Sequence, residues 1–223
     1  MALRLKALGG PPVEVRPGTA DVDTVWAAFV RGHHRPPAAV TRAEPRRIWD
    51  LGCNIGLTMA DLAVRFPEAE IVGVELDEGN VELARRNLAA WGSRCRVIHA
   101  AAWPEDGEVW FHAWAGATSG YTVAAPERQP KREGPVVPAL SLDSLLAREG
   151  GSPPRVDYLK MDVEGAERLL LRESTGWAES VGSIKVEIHE PYTVDGALAD
   201  VSALGFAASR DRRHPACVVG VRG

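Results

Sequence analysis

The hydrophobic and polar positions of this chain fall into two textures. From Arg46 onward, short apolar runs alternate with stretches of helical periodicity, and the connections are short. Arg46 to Leu51 and Glu70 to Leu76 read as buried strands, while Leu57 to Phe66 and Gly79 to Trp91 read as helices. Val81, Leu83, Ala84 and Leu88 form the apolar stripe of the second helix, and Gly92 marks its end. Arg96 to Ala101 is a third strand. This alternation predicts an α/β fold with a mainly parallel sheet covered by helices on both faces. The pattern then loosens: Glu108 to Trp114 alternates like an edge hairpin, residues 115–134 read as loop, and Val136 to Leu140 as a short strand before a brief helix. The rhythm returns with strands at Val156 to Met161 and Ser183 to Ile188. Helices follow at Gly165 to Arg172 and Asp195 to Leu204, then a closing hairpin between Phe206 and Val221.

The first 45 residues have the other texture. Pro11, Pro12, Pro17, Pro36, Pro37 and Pro45 interrupt them, and only Asp21 to Arg31 reads as a helix, capped by Asp21 or Asp23. Its apolar positions are Val22, Val25, Trp26, Phe29 and Val30. The expected organisation is therefore an amino-terminal extension over 1–45 that packs on, and covers, a domain over 46–223. Gly32-His33-His34-Arg35 reads as an exposed polar turn, because adjacent histidines point to different sides.

Composition narrows the function classes. A chain of 223 residues, 45% hydrophobic and 25% charged, can bury a full α/β core. Its net charge of -4 argues against a partner held through phosphates, so no nucleic acid is expected. No apolar run is long enough for a membrane span or a secretory signal, and a cytoplasmic protein is expected. The three cysteines, without CxxC spacing, predict neither a disulfide framework nor a zinc knuckle.

The strongest chemical signal is Asp50-Leu51-Gly52-Cys53-Asn54-Ile55-Gly56 at the end of the first strand. Small residues there let the backbone approach a ligand and hand over to a helix amino terminus. Glu75 follows 25 residues after Asp50, where nucleotide-binding α/β units place the acid that accepts ribose hydroxyls. The loop is GxxxG, with Asn54 where a dinucleotide site needs its second glycine. A cofactor with a ribose but no pyrophosphate fits better, and S-adenosylmethionine is the obvious one.

DLGCNIG, VGVELD, VDYLKMDVEGAE and IKVEIHEPY, with Ser141 to Leu145 between them, resemble the FkbM family of class I S-adenosylmethionine-dependent methyltransferases. The resemblance runs from about Ile48 to His189. It implies a seven-stranded, mainly parallel, Rossmann-like sheet. It also implies that Asp50, Gly52, Asn54 and Gly56 surround the methionine portion of the cofactor. Glu75 would bind the ribose, and His99 to Trp103, Ala101 included, would lie beside the adenine. The family is associated with O-methylation in secondary metabolism and of sugars.

The chemistry of methyl transfer should lie at the carboxyl ends of later strands. Lys160 and Asp162 leave one face of their strand, as do Glu187 and His189 of theirs. A buried Lys160–Asp162 pair could fix the strand end, or Asp162 could contact substrate with Lys160 tuning its charge. His189 is the natural base for a hydroxyl, since imidazole titrates near working pH. An ordered histidine bonded to Glu187 or Glu164 is the competing reading. Asp162, Glu187 and His189, with Glu164, could also hold a divalent ion such as Mg. The expected activity is O-methylation of a small-molecule hydroxyl. Carboxyl methylation aided by Arg128, Lys131 or Arg132, N-methylation, and a non-catalytic cofactor-binding module are the alternatives. Ser119, Tyr121, Trp110 and Trp114 lie where a substrate wall is expected, and homodimerisation is compatible with the sequence.

Overall fold

The computed structural model describes residues 1–9, 11–113, 121–124 and 134–222. In chain order the strands are β1 (Ala2–Leu3), β2 (Val13–Glu14), β3 (Arg47–Leu51), β4 (Glu70–Glu75), β5 (Cys95–His99), β6 (Ala101–Ala102) and β7 (Gly107–Ala113). They continue as β8 (Tyr121–Ala124), β9 (Val136–Leu140), β10 (Tyr158–Met161), β11 (Ser183–Glu187), β12 (Ala207–Arg210) and β13 (Cys217–Val221). The α-helices are α1 (Asp21–Val25), α2 (Ala38–Arg42), α3 (Leu57–Arg65), α4 (Glu78–Leu88), α5 (Leu142–Glu149), α6 (Glu167–Arg172) and α7 (Val194–Ala203).

Seven strands form the main sheet in the order β12-β13-β11-β10-β3-β4-β5. The five strands from β11 to β5 are parallel, and β13 pairs antiparallel with both β11 and β12. This is the predicted doubly wound α/β architecture, closed by the predicted hairpin. Strand alternation divides the core. Trp49, Leu51, Leu159, Met161, Ile184 and Val186 face α6 and α7, whereas Ile48, Ile71 and Tyr158 face α3. Asp50, Lys160 and Lys185 are register neighbours across three parallel strands, a row of charges on one sheet face. Lys185 closes its charge on Asp211.

Three features depart from the sequence reading. First, the third strand stops at His99, and Ala101–Ala102 pairs instead with β9 in a separate four-stranded sheet, β6-β9-β7-β8. The edge hairpin expected at Glu108 to Trp114 is the β7–β8–β9 part of that sheet. Second, residues 1–45 hold more structure than one helix. The β1–β2 pair and α2 join α1, and winding turns from α to π over Trp26–Arg31. Asp21 is not the cap: Ala20 is, and the buried Asp21 carboxylate accepts from the Arg16 guanidinium at 2.9 and 3.0 Å. Leu8, Val13, Val15, Ala28 and Val40 bury in one cluster with α3 and α4, at roughly 1.5–3 kcal/mol for each full Val or Leu side chain. Val22, Trp26 and Val30 face outward, so three of the five positions of the expected apolar stripe are not core. Third, Gly32 to Arg35 is no exposed turn. His34 is buried, its Nε2 2.9 Å from Asp61 Oδ2, and its carbonyl accepts from the Tyr158 hydroxyl at 2.7 Å.

Trp114, Ser119, Arg128, Lys131 and Arg132, and the side chain of Tyr121, lie outside the described residues. No helix among the described residues is long and apolar enough to cross a membrane.

Candidate active site

A cavity of about 350 Å³ opens at the carboxyl ends of β3, β4, β10 and β11. Its floor begins at the β3–α3 turn. Gly52 has φ +76°, and a Cβ there would stand 1.7 Å from the Asp162 carbonyl oxygen, so only glycine fits. Asn54 is also left-handed, with φ +49°. Its Oδ1 is buried without a hydrogen-bond partner, an unpaired acceptor on the cavity wall. Gly56 (φ +80°) turns the chain into α3 above Ala84 and Leu88.

Glu75, at the end of β4, is 5% exposed. Its two oxygens accept from the Asn54 and Asp77 amides, both at 2.9 Å, and Oε1 also from the Asn80 side-chain amide at 3.5 Å, which leaves a lone pair on Oε2 for a further donor. Burial pushes this carboxyl up to about 7 against those hydrogen bonds. Asp77 caps α4 by accepting from the Asn80 amide at 2.8 Å, as its position predicts. Small side chains, Ala100, Ala101 and Ala102, complete this end of the cavity.

Two residues of the cofactor motif do not reach the wall. Gly56 lies behind it, and Asp50 is fully buried below it, accepting from the Thr58 hydroxyl and from Lys160 Nζ at 2.9 Å. The expected Lys160–Asp162 pair exists at 3.3 Å, but it is the weaker half of a bridge in which Lys160 joins Asp50 to Asp162. Burial would lower the lysine's affinity for its proton. Asp50 and Asp162 overcome that and raise its pKa well above the ordinary value, so the residue is a fixed cation.

On the β10–β11 side, His189 Nδ1 lies 2.7 Å from Oε1 of the fully buried Glu167. Its Nε2 faces Asp162 Oδ1 at 3.7 Å and Glu164 Oε2 at 3.5 Å. Burial opposes protonation here, yet Glu167, Asp162 and Glu164 raise the imidazole to about 9. A base ready at neutral pH is therefore not what the geometry offers: His189 is already an imidazolium held among three carboxylates. Glu167 also accepts from the Val163 and Gly165 amides and so steadies the turn into α6. Glu187 does not bond His189. Its Oε1 lies 3.7 Å from His214 Nε2, and burial, followed by Asp162, raises its carboxyl to about 7. Among the described residues, ligand atoms of Asp162, Glu164 and His189 lie within 4.8 Å of one another. Glu187, expected in that set, is replaced by Glu164, whose backbone turns left-handed at φ +53° and brings its side chain inward.

The fourth wall comes from the amino-terminal segment. Ala20, Asp23, Thr24 and Ala27 line the cavity, and so do His33 and His34. Sequence reasoning missed these residues because their chemistry is ordinary. The one available signal was the pair of adjacent histidines, set between Gly32 and Pro36.

A parallel sheet with a glycine turn after its first strand and a buried acid ending its second frames a nucleotide-cofactor site, and the GxxxG turn and the family match make it that of a class I S-adenosylmethionine-dependent methyltransferase. The cavity fits that cofactor: the unpaired Asn54 oxygen needs a donor, Glu75 has a lone pair for a ribose hydroxyl, and Gly52 leaves room for close approach. The methyltransferase FkbM domain model matches residues 50–205, and the chain belongs to that family. A malonyl-[acyl-carrier protein] O-methyltransferase of Legionella pneumophila is 48% identical over 56 residues, 25% of this chain and 19% of that protein. A trans-aconitate 2-methyltransferase of Pseudomonas paraeruginosa is 36% identical over 84 residues, 35% of this chain and 30% of that one. The chain thus covers less than a third of either curated relative. A solved candidate O-methyltransferase from Nostoc punctiforme superposes with a TM-score of 0.52 at 17% identity, covering 91% of this chain and 58% of that one, a likeness of fold.

Proposed function

We propose that the protein transfers a methyl group from S-adenosylmethionine to a hydroxyl of a small molecule that is neutral or cationic. The observation that carries this is the charge of the cavity. Asp23, Asp162, Glu164 and Glu187 line it, and its cations are already committed, Lys160 to two carboxylates and His189 to three. No arginine lines it among the described residues. Among the described residues a carboxylate acceptor would enter against like charge with no free cation to receive it, which disfavours carboxyl methylation.

The residues divide the work. The cofactor supplies an electrophilic methyl group. Asn54 and Glu75 hold the methionine and ribose portions, Ala100 to Ala102 flank the adenine, and Gly52 allows the approach. Lys160 holds Asp162 at the cavity floor, and the Glu167–His189 pair fixes the other side. Fixed groups that align the nucleophile with the methyl group supply most of what this displacement needs. The test is release of S-adenosylhomocysteine from S-adenosylmethionine in the presence of matched alcohols bearing a neutral, ammonium or carboxylate substituent. Turnover with the first two is expected, and faster turnover of the carboxylate member would overturn the reading.

Asp162, Glu164 and His189 support a second reading, in which a divalent ion such as Mg sits among them. The Glu167 carboxylate on Nδ1 orients Nε2 as a ligating histidine requires. The rival is the proton that His189 already holds, which the ion must displace. Titration calorimetry with Mg or Mn at pH 8 tests it, and absence of heat removes it.

A further inference from the structure

The reading above leaves the acceptor's proton without a destination, because both His189 nitrogens already face carboxylates, Nδ1 Glu167 at 2.7 Å and Nε2 Glu164 and Asp162 at 3.5 and 3.7 Å. We propose that His33, carried by the amino-terminal segment, holds the acceptor hydroxyl and takes up its proton as the methyl group is transferred. This rests on the methyltransferase reading.

Four observations support it. His34 is anchored inward by Asp61 and by the Tyr158 hydroxyl on its carbonyl, while Gly32 turns the preceding chain in the left-handed region. That anchoring fixes its neighbour, and His33 lines the cavity, half-buried. Among the described residues, neither ring nitrogen of His33 has a hydrogen-bond partner. The ring packs edge-on against His214, centroids 4.1 Å apart at 78°, and His214 Nε2 lies 3.7 Å from Glu187 Oε1. His33 is thereby tied to the β11 end of the sheet. The ribose- and adenine-side residues Glu75 and Ala101 lie toward β4 and β5, on the other side of β3. His33 thus borders the half of the cavity left for the acceptor. Burial, together with His214, Arg31 and Lys185 and against Asp211, lowers the imidazole to about 4, so the ring is neutral and offers a lone pair.

A weak base suffices for this step. The acceptor oxygen forms its bond to the methyl carbon while the carbon–sulfur bond breaks, and that electron pair stays on sulfur, giving the neutral thioether. The oxygen becomes positive as the bond forms, its proton becomes strongly acidic, and it passes to the His33 nitrogen and then to solvent. Both His33 and His214 lie outside residues 50–205, the span matched by the family model. The device belongs to the flanking segments of this chain.

The test needs no acceptor. The full-length protein is incubated with 5′-aziridinoadenosine, whose strained ring carbon takes the place of the transferable methyl group and alkylates the nucleophile facing it. The adduct is located by peptide mass spectrometry, and S-adenosylhomocysteine binding is measured by calorimetry. The expected adduct is on His33. It disappears in His33→Asn and His33→Gln, which bind S-adenosylhomocysteine within about twofold of wild type, since the residue faces the acceptor and not the cofactor. An adduct on Glu187, Asp162 or His189, or none on wild type that binds S-adenosylhomocysteine, overturns the proposal. So does a tenfold loss of binding in both variants, the mark of a structural role. If the wild type does not bind S-adenosylhomocysteine, the methyltransferase reading itself falls, and this proposal with it.

Discussion

Replacing Lys160 by methionine isolates the buried charge row. Asp50 has no exposed surface, and Lys160 Nζ at 2.9 Å is its one cationic partner. Removing one member of a buried ion pair costs about 3–5 kcal/mol, because the remaining charge is neither solvated nor paired. The Thr58 hydroxyl still donates to Asp50, which places the loss near the lower end, about 3 kcal/mol. For a chain of this size that is a fall of roughly 6–12 °C in the unfolding midpoint. Thermal unfolding at pH 7, followed by circular dichroism, reads it directly. The double variant Lys160→Met/Asp50→Asn removes the stranded charge and should regain at least half of the loss. A single variant within about 2 °C of wild type, or a double variant as unstable as the two single losses added together, would refute the bridge as the origin of the effect.

Other outcomes follow from the same geometry. Gly52→Ala forces a Cβ onto the Asp162 carbonyl and should abolish S-adenosylhomocysteine binding in calorimetry. Gly165→Ala, at φ +107° with nothing within 4 Å of its Cβ, should lose only backbone strain energy, on the order of 1–3 kcal/mol, and keep binding. Glu75→Ala removes the acceptor proposed for the ribose and should weaken binding roughly a hundredfold; unchanged affinity would take Glu75 out of the cofactor site. Acid should destabilise the His34–Asp61 contact twice over. His34 is held below its ordinary pKa by burial, so the stability it contributes falls as pH drops below about 6.5. The Asp61 carboxyl is likewise lowered: burial would raise it, but the hydrogen bonds from His34 and Arg65 outweigh that. Its contribution is whole above its unfolded value near 3.8 and is lost as pH falls further. Urea unfolding at pH 7, 4 and 3 should show Asp61→Asn losing at least as much at pH 4 as at pH 7, with the gap narrowing only at pH 3; a gap already closing between pH 7 and pH 4 would contradict this.

The sheet was legible because its strands are short apolar runs between helices of clear period, and register follows from that pattern. The glycine turn and Glu75 were legible because close approach and a buried acid demand particular residue types. The catalytic side was less so. Strand alternation correctly put Lys160 with Asp162, but only three dimensions bring Asp50 to the same lysine, 110 residues away. The setting of His189 was not legible because a lone histidine carries no sign of its neighbours, and Glu167, Asp162 and Glu164 gather around it from a different element. His34 was misread because local pattern sees a polar turn, whereas Asp61 and Tyr158, distant in sequence, make it a buried anchor.

The clasp between the amino-terminal segment and the sheet has a consequence in time. Glu14 exchanges hydrogen bonds with Asn87, 73 positions later, and the His34 carbonyl waits for Tyr158, 124 positions later. At roughly 5–20 residues per second of synthesis, those partners follow by about 4–15 s and 6–25 s. Until α4 is complete at Leu88, Leu8, Val13 and Val15 have no paired α3 and α4 to bury against, and until Tyr158 is made nothing anchors the His34 carbonyl. A nascent chain halted before residue 158 should therefore expose the segment to protease, while one long enough to include β10 should not. The wall of the cavity that carries His33 is made early and docks late.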